Sequence, residues 1–127
     1  MIQKGHGISF GDVDGDHDQD IFHTIGGAVE GDIFMNYLYQ NESEATNWLL
    51  LIPAAHDDGV KASVYAQDIE IHRTVGTGGS FGNNSRQIEI GLGKISTIDS
   101  LIYGECIYTN VNVNQVYSLN GKDCYVE

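Results

Sequence analysis

The sequence predicts an all-β fold, a compact β-sandwich or barrel-like domain preceded by a single strand pair that is joined by an acidic loop. Short runs rich in Val, Ile, Tyr and Thr recur at the roughly 8–12-residue spacing of β domains, divided by Gly, Asn, Asp and Ser. Helix signals are nearly absent, and the clearest hydrophobic period is two residues. One turn between runs carries an aspartate at every second position, which restricts its chemistry.

The strands follow in order. Ile8–Phe10 and Asp20–Ile25 flank the acidic turn, and both are rich in apolar, strand-forming residues. Phe34–Gln40 comes next. Asn47–Pro53 contains Trp48-Leu49-Leu50-Leu51-Ile52, continuously apolar and so expected to be buried on both faces, with Pro53 ending it. Val60–Gln67 alternates most clearly, with Val60, Ala62, Val64 and Ala66 on one face and Lys61, Ser63, Tyr65 and Gln67 on the other. Ile69–Val75 is expected to turn Ile69, Ile71 and Val75 inward. Gln67-Asp68 then serves as a two-residue hairpin turn, although it lacks the usual Gly. The remaining strands are Arg86–Leu92, Ser100–Tyr103, Glu105–Thr109, Gln115–Leu119 and Cys124–Val126. Gly76–Ser85 is the longest irregular stretch. A Gly-rich loop that cradles phosphate needs a helix after it and usually a Lys. A strand follows here, so the loop is expected to shape a surface.

The acidic turn reads Gly11-Asp12-Val13-Asp14-Gly15-Asp16-His17-Asp18-Gln19-Asp20. At this density some carboxylates must crowd one another, which a hard cation between them relieves. Ca²⁺ takes about 6–8 oxygens at about 2.3–2.6 Å, largely from carboxylates and carbonyls. A loop offering oxygen at alternate positions curls around such an ion. Asp12, Asp14 and Asp16 are then expected as side-chain ligands, Asp18 as a backbone carbonyl donor, and Asp20 as the residue that closes the loop. The loop is not an EF-hand, because His17 and His23 stand where that motif needs Gly and a bidentate Glu. Mg²⁺ fits less well, since it demands tight octahedral geometry and keeps several waters. A bare solvated turn is the plain alternative, but the strict spacing and apolar flanks are unlike a solvated charge run.

At 127 residues the chain has room for one ordinary domain or for two small units. Hydrophobic residues make up 41%, enough to exclude disorder of the whole. Net charge is −12, so nucleic acid is excluded as a partner, and an anionic membrane would repel the chain. Positions 1–44 hold nine acidic residues against Lys4 alone, a local charge of −8. No run approaches the roughly 20 apolar residues of a membrane span, so membrane insertion is not expected. The residues from Met1 to His6 show no apolar core of a signal peptide. The protein is then cytoplasmic if Met1 is the true start, or a fragment whose export signal lies elsewhere. Cys106 and Cys124 form a disulfide if the compartment is oxidising; otherwise Cys124 is a small buried hydrophobe.

The segment from Gly5-His6-Gly7-Ile8-Ser9-Phe10-Gly11 through Asp20-Ile21 resembles an FG-GAP/VCBS repeat, a propeller-blade unit with a calcium loop between two strands. Gly26-Gly27-Ala28 to Phe34–Asn41, then Asn47-Trp48-Leu49, resembles the link from the last such repeat into an ASPIC/UnbV domain. Gly59-Val60-Lys61-Ala62, Gly78-Gly79-Ser80-Phe81, Gly91-Leu92-Gly93-Lys94 and Ile98-Asp99-Ser100-Leu101 are similar to that domain. The resemblance covers nearly the whole chain. It implies a calcium-loop segment over 1–46 and an ASPIC/UnbV-like β domain over 47–127, as in cartilage-acidic-protein-like and many bacterial secreted proteins. It also implies an extracellular or periplasmic location. Two departures stand out. Lys61 occupies a usual Gly position, and Tyr103-Gly104-Glu105-Cys106 replaces a Trp-Pro-Ser-Gly turn.

The function expected is a calcium-binding recognition or structural module without catalytic activity, with exposed strand edges through which a homodimer could pair. A protein or glycan partner is left open. Glycan or small-ligand binding would use outward faces among Tyr37, Tyr39, Tyr65, Tyr103, Tyr108, Tyr117 and Tyr125. A transition-metal enzyme would need His17 and His23 beside the acidic loop, among the five histidines His6, His17, His23, His56 and His72. No Gly-x-Ser-x-Gly elbow or His-Glu-x-x-His motif occurs to support catalysis.

Overall fold

The computed structural model describes residues 5–26, 34–43, 47–76 and 83–124, and every regular element among them is a strand. The strands form three sheets, and the fold is all-β. The chain divides into two compact units, Met1–Glu42 with Gly78–Ser85, and Ser43–Thr77 with Arg86–Glu127.

The first unit is an antiparallel sheet in the order β1 (Gly5–Gly11), β2 (Asp20–Ile25), β3 (Tyr37–Tyr39). Gly11 pairs with Asp20, so the acidic segment connects two strands directly in register. Because side chains alternate at period two, Ile8, His23 and Tyr37 form one cross-strand row, and Phe10, Ile21 and Tyr39 form the next on the same face. The Phe10 N–H donates to Asn84 Oδ1 at 2.8 Å, which occupies one donor of the β1 backbone. β3 is shorter than the expected Phe34–Gln40. In place of a ladder bond at Asn36, its side-chain oxygen accepts the Ile25 N–H at 3.3 Å.

The second unit holds two sheets. One has the order β10 (Gln115–Leu119), β4 (Asn47–Pro53), β7 (Ile88–Gly93), and the other has β6 (Ile69–Thr74), β5 (Lys61–Ala66), β8 (Ser100–Tyr103), β9 (Cys106–Tyr108). All pairs are antiparallel except β4 with β10. Leu49, Leu51, Ile88, Ile90, Leu92 and Leu119 from the first sheet share one core with Ala62, Val64, Ala66, Leu101 and Tyr103 from the second. The arrangement is sandwich-like, each sheet contributing alternate residues to the interior.

Several expectations for this unit are corrected. β4 is not buried on both faces: Leu49 and Leu51 are buried, but Ile52 is 40% exposed. Period-two alternation puts Ile52 on the face away from Leu49 and Leu51. Ile69 is 47% exposed rather than inward, because it follows the hairpin turn on an edge strand; Val75 is buried as expected. The turn at Gln67-Asp68 forms without Gly. Gln67 takes φ of 54° itself, and its N–H donates to Asp99 Oδ2 at 2.9 Å. Cys106 and Cys124 are bonded as a disulfide, with Cα atoms 5.1 Å apart. Cys124 lies outside any strand, and the rest of the expected strand Cys124–Val126 falls beyond the described residues.

The interior also holds one carboxylate the pattern did not signal. Asp57 is 1% exposed, and its Oδ2 accepts from the Tyr103 hydroxyl at 2.9 Å, Gly121 N–H at 3.1 Å and Ala54 N–H at 3.2 Å. It ties the β4–β5 connection to β8 and to the segment that the disulfide secures.

Candidate metal centre

The connection from β1 to β2 folds on its own aspartates. Asp12 Oδ1 accepts the N–H groups of Gly15 at 2.7 Å and Asp16 at 3.2 Å, while Oδ2 accepts that of His17 at 3.1 Å. Short acidic side chains favour such local bonds, which is why Asp is common in turns. Gly15 at φ 84° and His17 at φ 72° supply the left-handed steps that curl the backbone. Glycine does so freely, and histidine is among the residue types that enter this region most readily.

Asp20 lies at the end of the curl as the first residue of β2 and is buried. Its Oδ2 accepts the Val13 N–H at 2.8 Å and its Oδ1 the Asn41 N–H at 2.8 Å. Asp14 Oδ2 accepts from Gln40 Nε2 at 3.2 Å. These bonds bring one carboxylate oxygen from each of Asp12, Asp14 and Asp20 within 4.8 Å of one another. That span is about twice a Ca²⁺–oxygen distance of about 2.4 Å, so one ion fits between the three.

The Asp16 carboxylate, expected alongside them, stands outside this converging group, and the backbone carbonyl expected of Asp18 is not one of the carboxylate oxygens that define it. Asp16 Oδ1 accepts the Asp18 N–H at 3.0 Å, a local bond that turns the carboxylate back onto the loop. Both carboxylate oxygens of Asp18 are buried and accept no hydrogen bond. Burial raises the Asp18 pKa above the usual carboxylate range, and the negative charges of Asp16, Asp20 and Asp14 add to the rise. A carboxylate crowded by like charges is a costly arrangement that a bound cation would offset. The donor set is all oxygen, which suits a hard ion and gives imidazole no part. His17 Nδ1 is 3.9 Å from Asp12 Oδ2, and His23 lies along β2 opposite Ile8.

Sequence reading missed the outer supports Gln40 and Asn41, which sit twenty or more residues from the loop they hold. It also missed a second polar group, on the face of the β5–β6–β8 sheet. Ser63 Oγ is 2.8 Å from His72 Nδ1, and His72 Nε2 is 3.4 Å from Glu70 Oε2. The order of groups is that of a hydrolytic triad, but its setting is unsuited to acyl transfer. β5 is paired on both sides, Ser63 opposite His72 and Ile102, so its backbone is engaged in the ladders rather than free to stabilise an oxyanion. The His72 and Glu70 side chains are also exposed, so water is not excluded.

Neither a known protein-family profile nor a curated protein sequence matches the chain.

Proposed function

We propose that this chain is a calcium-binding, β-rich recognition or structural module without catalytic activity, in which one Ca²⁺ held by Asp12, Asp14 and Asp20 fixes the β1–β2 connection. The convergence of those three carboxylates within 4.8 Å carries the reading. The crowding of Asp18 by the negative charges of Asp16, Asp20 and Asp14 supports it. The similarity of the loop to an FG-GAP/VCBS calcium loop, and of the remainder to an ASPIC/UnbV domain, belongs to the same proposal. So does an extracellular or periplasmic location, which the Cys106–Cys124 disulfide supports because such bonds persist in oxidising compartments.

Terbium luminescence tests the site, since a trivalent lanthanide takes the same oxygen ligands. The expected result is sensitised emission that Ca²⁺ displaces and that Asp14→Asn abolishes. Emission that Ca²⁺ cannot displace would remove the proposal.

A second reading, glycan or other small-ligand recognition, is favoured by one observation. Tyr37 and Tyr39 lie side by side on β3 with ring centroids 6.0 Å apart, 39% and 52% exposed. Exposed aromatic faces stack on flat apolar surfaces, including those of sugars. Retention on a panel of insoluble polysaccharides, lost in Tyr39→Ala, would support this reading. Passage through all of them would discard it. A homodimer formed through the same unit is a further proposal, tested by light scattering across a concentration series.

A further inference from the structure

The tripeptide Asn-x-Ser, the acceptor of N-linked glycans, occurs twice in the chain, at Asn41-Glu42-Ser43 and at Asn83-Asn84-Ser85. An attached glycan is bulky and hydrated, so it has to stand outside the fold. Asn41 does not meet that condition. It is half-buried just beyond β3, and its N–H donates to Oδ1 of the buried Asp20 at 2.8 Å. Asn83, Asn84 and Ser85 are all exposed and lie in irregular chain ahead of β7. Exposed irregular segments are where enzymes most readily reach a backbone. The middle residue ties the tripeptide down, since Asn84 Oδ1 accepts the Phe10 N–H of β1 at 2.8 Å. The motif leaves that middle position open to any residue but proline, so the tether does not compete with recognition.

We propose that Asn83 is an N-glycosylation site and that its glycan shields the outer edge of β1. In the transfer, Asn83 Nδ2 forms a bond to the anomeric carbon of an oligosaccharide carried on a polyprenyl diphosphate. The carbon–oxygen bond to the diphosphate breaks, the diphosphate leaves with that electron pair, and Nδ2 gives up one proton to a base of the transferase. Ser85 supplies the hydroxyl that the transferase reads. The site rests on the extracellular or periplasmic reading above, because N-linked glycans are added to exported chains. β1 is an edge strand of its sheet, and Ile8 and Phe10 along it are exposed. An open edge with apolar side chains invites pairing with another chain. Asn83 adjoins the residue that bonds this edge, so a glycan there blocks such pairing.

Secretion of the full chain, behind an appended signal peptide, from a eukaryotic cell that N-glycosylates its exports tests the site. Glycans are released by an amidase that leaves Asp at each acceptor, and peptide masses then locate the change. Most of the secreted chain is expected to show it at Asn83 and none at Asn41. Ser85→Ala abolishes the glycan, Ser85→Thr restores it, and Ser43→Ala leaves it unchanged. The same peptide map reports the Cys106–Cys124 bond. Secreted, disulfide-bonded protein that is unmodified at Asn83, or modified at Asn41, would overturn the assignment and leave the location reading standing. Retention of the chain inside the cell, or its secretion with free thiols, would remove that reading and the site with it. Removing the glycan from the native protein is expected to raise its apparent mass in light scattering as concentration rises. Unchanged scattering would overturn the shielding of β1.

Discussion

At the scale of single residues, Asp14 and Asp20 divide by what their oxygens hold, a side chain at Asp14 and backbone N–H groups at Asp20. Asp20 is buried and both its oxygens accept backbone N–H groups, so replacing either oxygen with an amide nitrogen sets a donor against a donor. Asp20→Asn is therefore expected to cost about 1–3 kcal/mol of stability even in EDTA, besides its effect on the ion. Among the described residues Asp14 accepts from the Gln40 side chain alone, so Asp14→Asn is expected to keep stability in EDTA and to weaken calcium affinity by about tenfold or more, equivalent to about 1.4 kcal/mol. Paired urea melts and calcium titrations of the two variants check the contrast. Equal loss of apo stability in both would contradict the division.

The buried Tyr103–Asp57 bond belongs to the same scale. Burial holds the Tyr103 phenol well above its ordinary pKa, and the hydrogen bond and negative charge of Asp57 add to the rise. The folded value lies above the unfolded value of about 10, so this contribution is fully present below about pH 10 and is lost as pH rises through the folded value. Spectroscopic titration is expected to show one tyrosine that ionises only as the protein unfolds in alkali. Tyr103→Phe removes that signal and costs about 1.5–3 kcal/mol, the range for a hydrogen bond to a charged group. A full set of tyrosines titrating while folded would contradict the assignment.

At the scale of elements, what could be read from sequence followed from local repetition. Ala62, Val64 and Ala66 alternate so regularly that β5 and its inward face are plain, and all three are buried. The five aspartates mark their loop equally plainly. Which carboxylates converge was not legible, because spacing orders the residues without revealing local bonds such as Asp16 Oδ1 to the Asp18 N–H. Gln40 and Asn41 were invisible for a different reason: their partners lie across the sheet, and nothing in a Gln-Asn pair marks it as support for a distant loop. Ile69 and Ile52 misled because hydrophobicity reports preference for an interior, while edge position and strand face decide whether one is available.

The disulfide also acts at this scale. Cys106 on β9 and Cys124 are 18 residues apart, and closing a loop of about that length stabilises by about 3 kcal/mol in the chain-entropy picture. Cys106 is buried, so the bond is shielded at one end from reductants. Paired Cys106→Ser and Cys124→Ser substitutions are expected to lower unfolding stability by roughly that amount while leaving calcium affinity unchanged, since the bond lies in the other unit. A change in affinity would show that the two units are coupled.

At the scale of the whole molecule, the distribution of charge and the division of the fold agree. Residues 1–42 hold eight acidic residues against Lys4, a local charge of −7 within the −12 of the chain, and the unit that contains them is where three carboxylates converge. A divalent ion there would offset two of those charges. The second unit has its own two-sheet core and disulfide.

Calorimetric titration of CaCl₂ into EDTA-stripped, dialysed protein decides whether the β1–β2 connection holds an ion. The loop has no bidentate Glu at its twelfth position, so one ion per chain is expected, with a Kd of about 10⁻⁴–10⁻³ M, the range of extracellular calcium modules. Saturation at about 100 times Kd should then add about 2.7 kcal/mol to stability. No saturable heat in that range, or the same heat from Asp14→Asn, would contradict it.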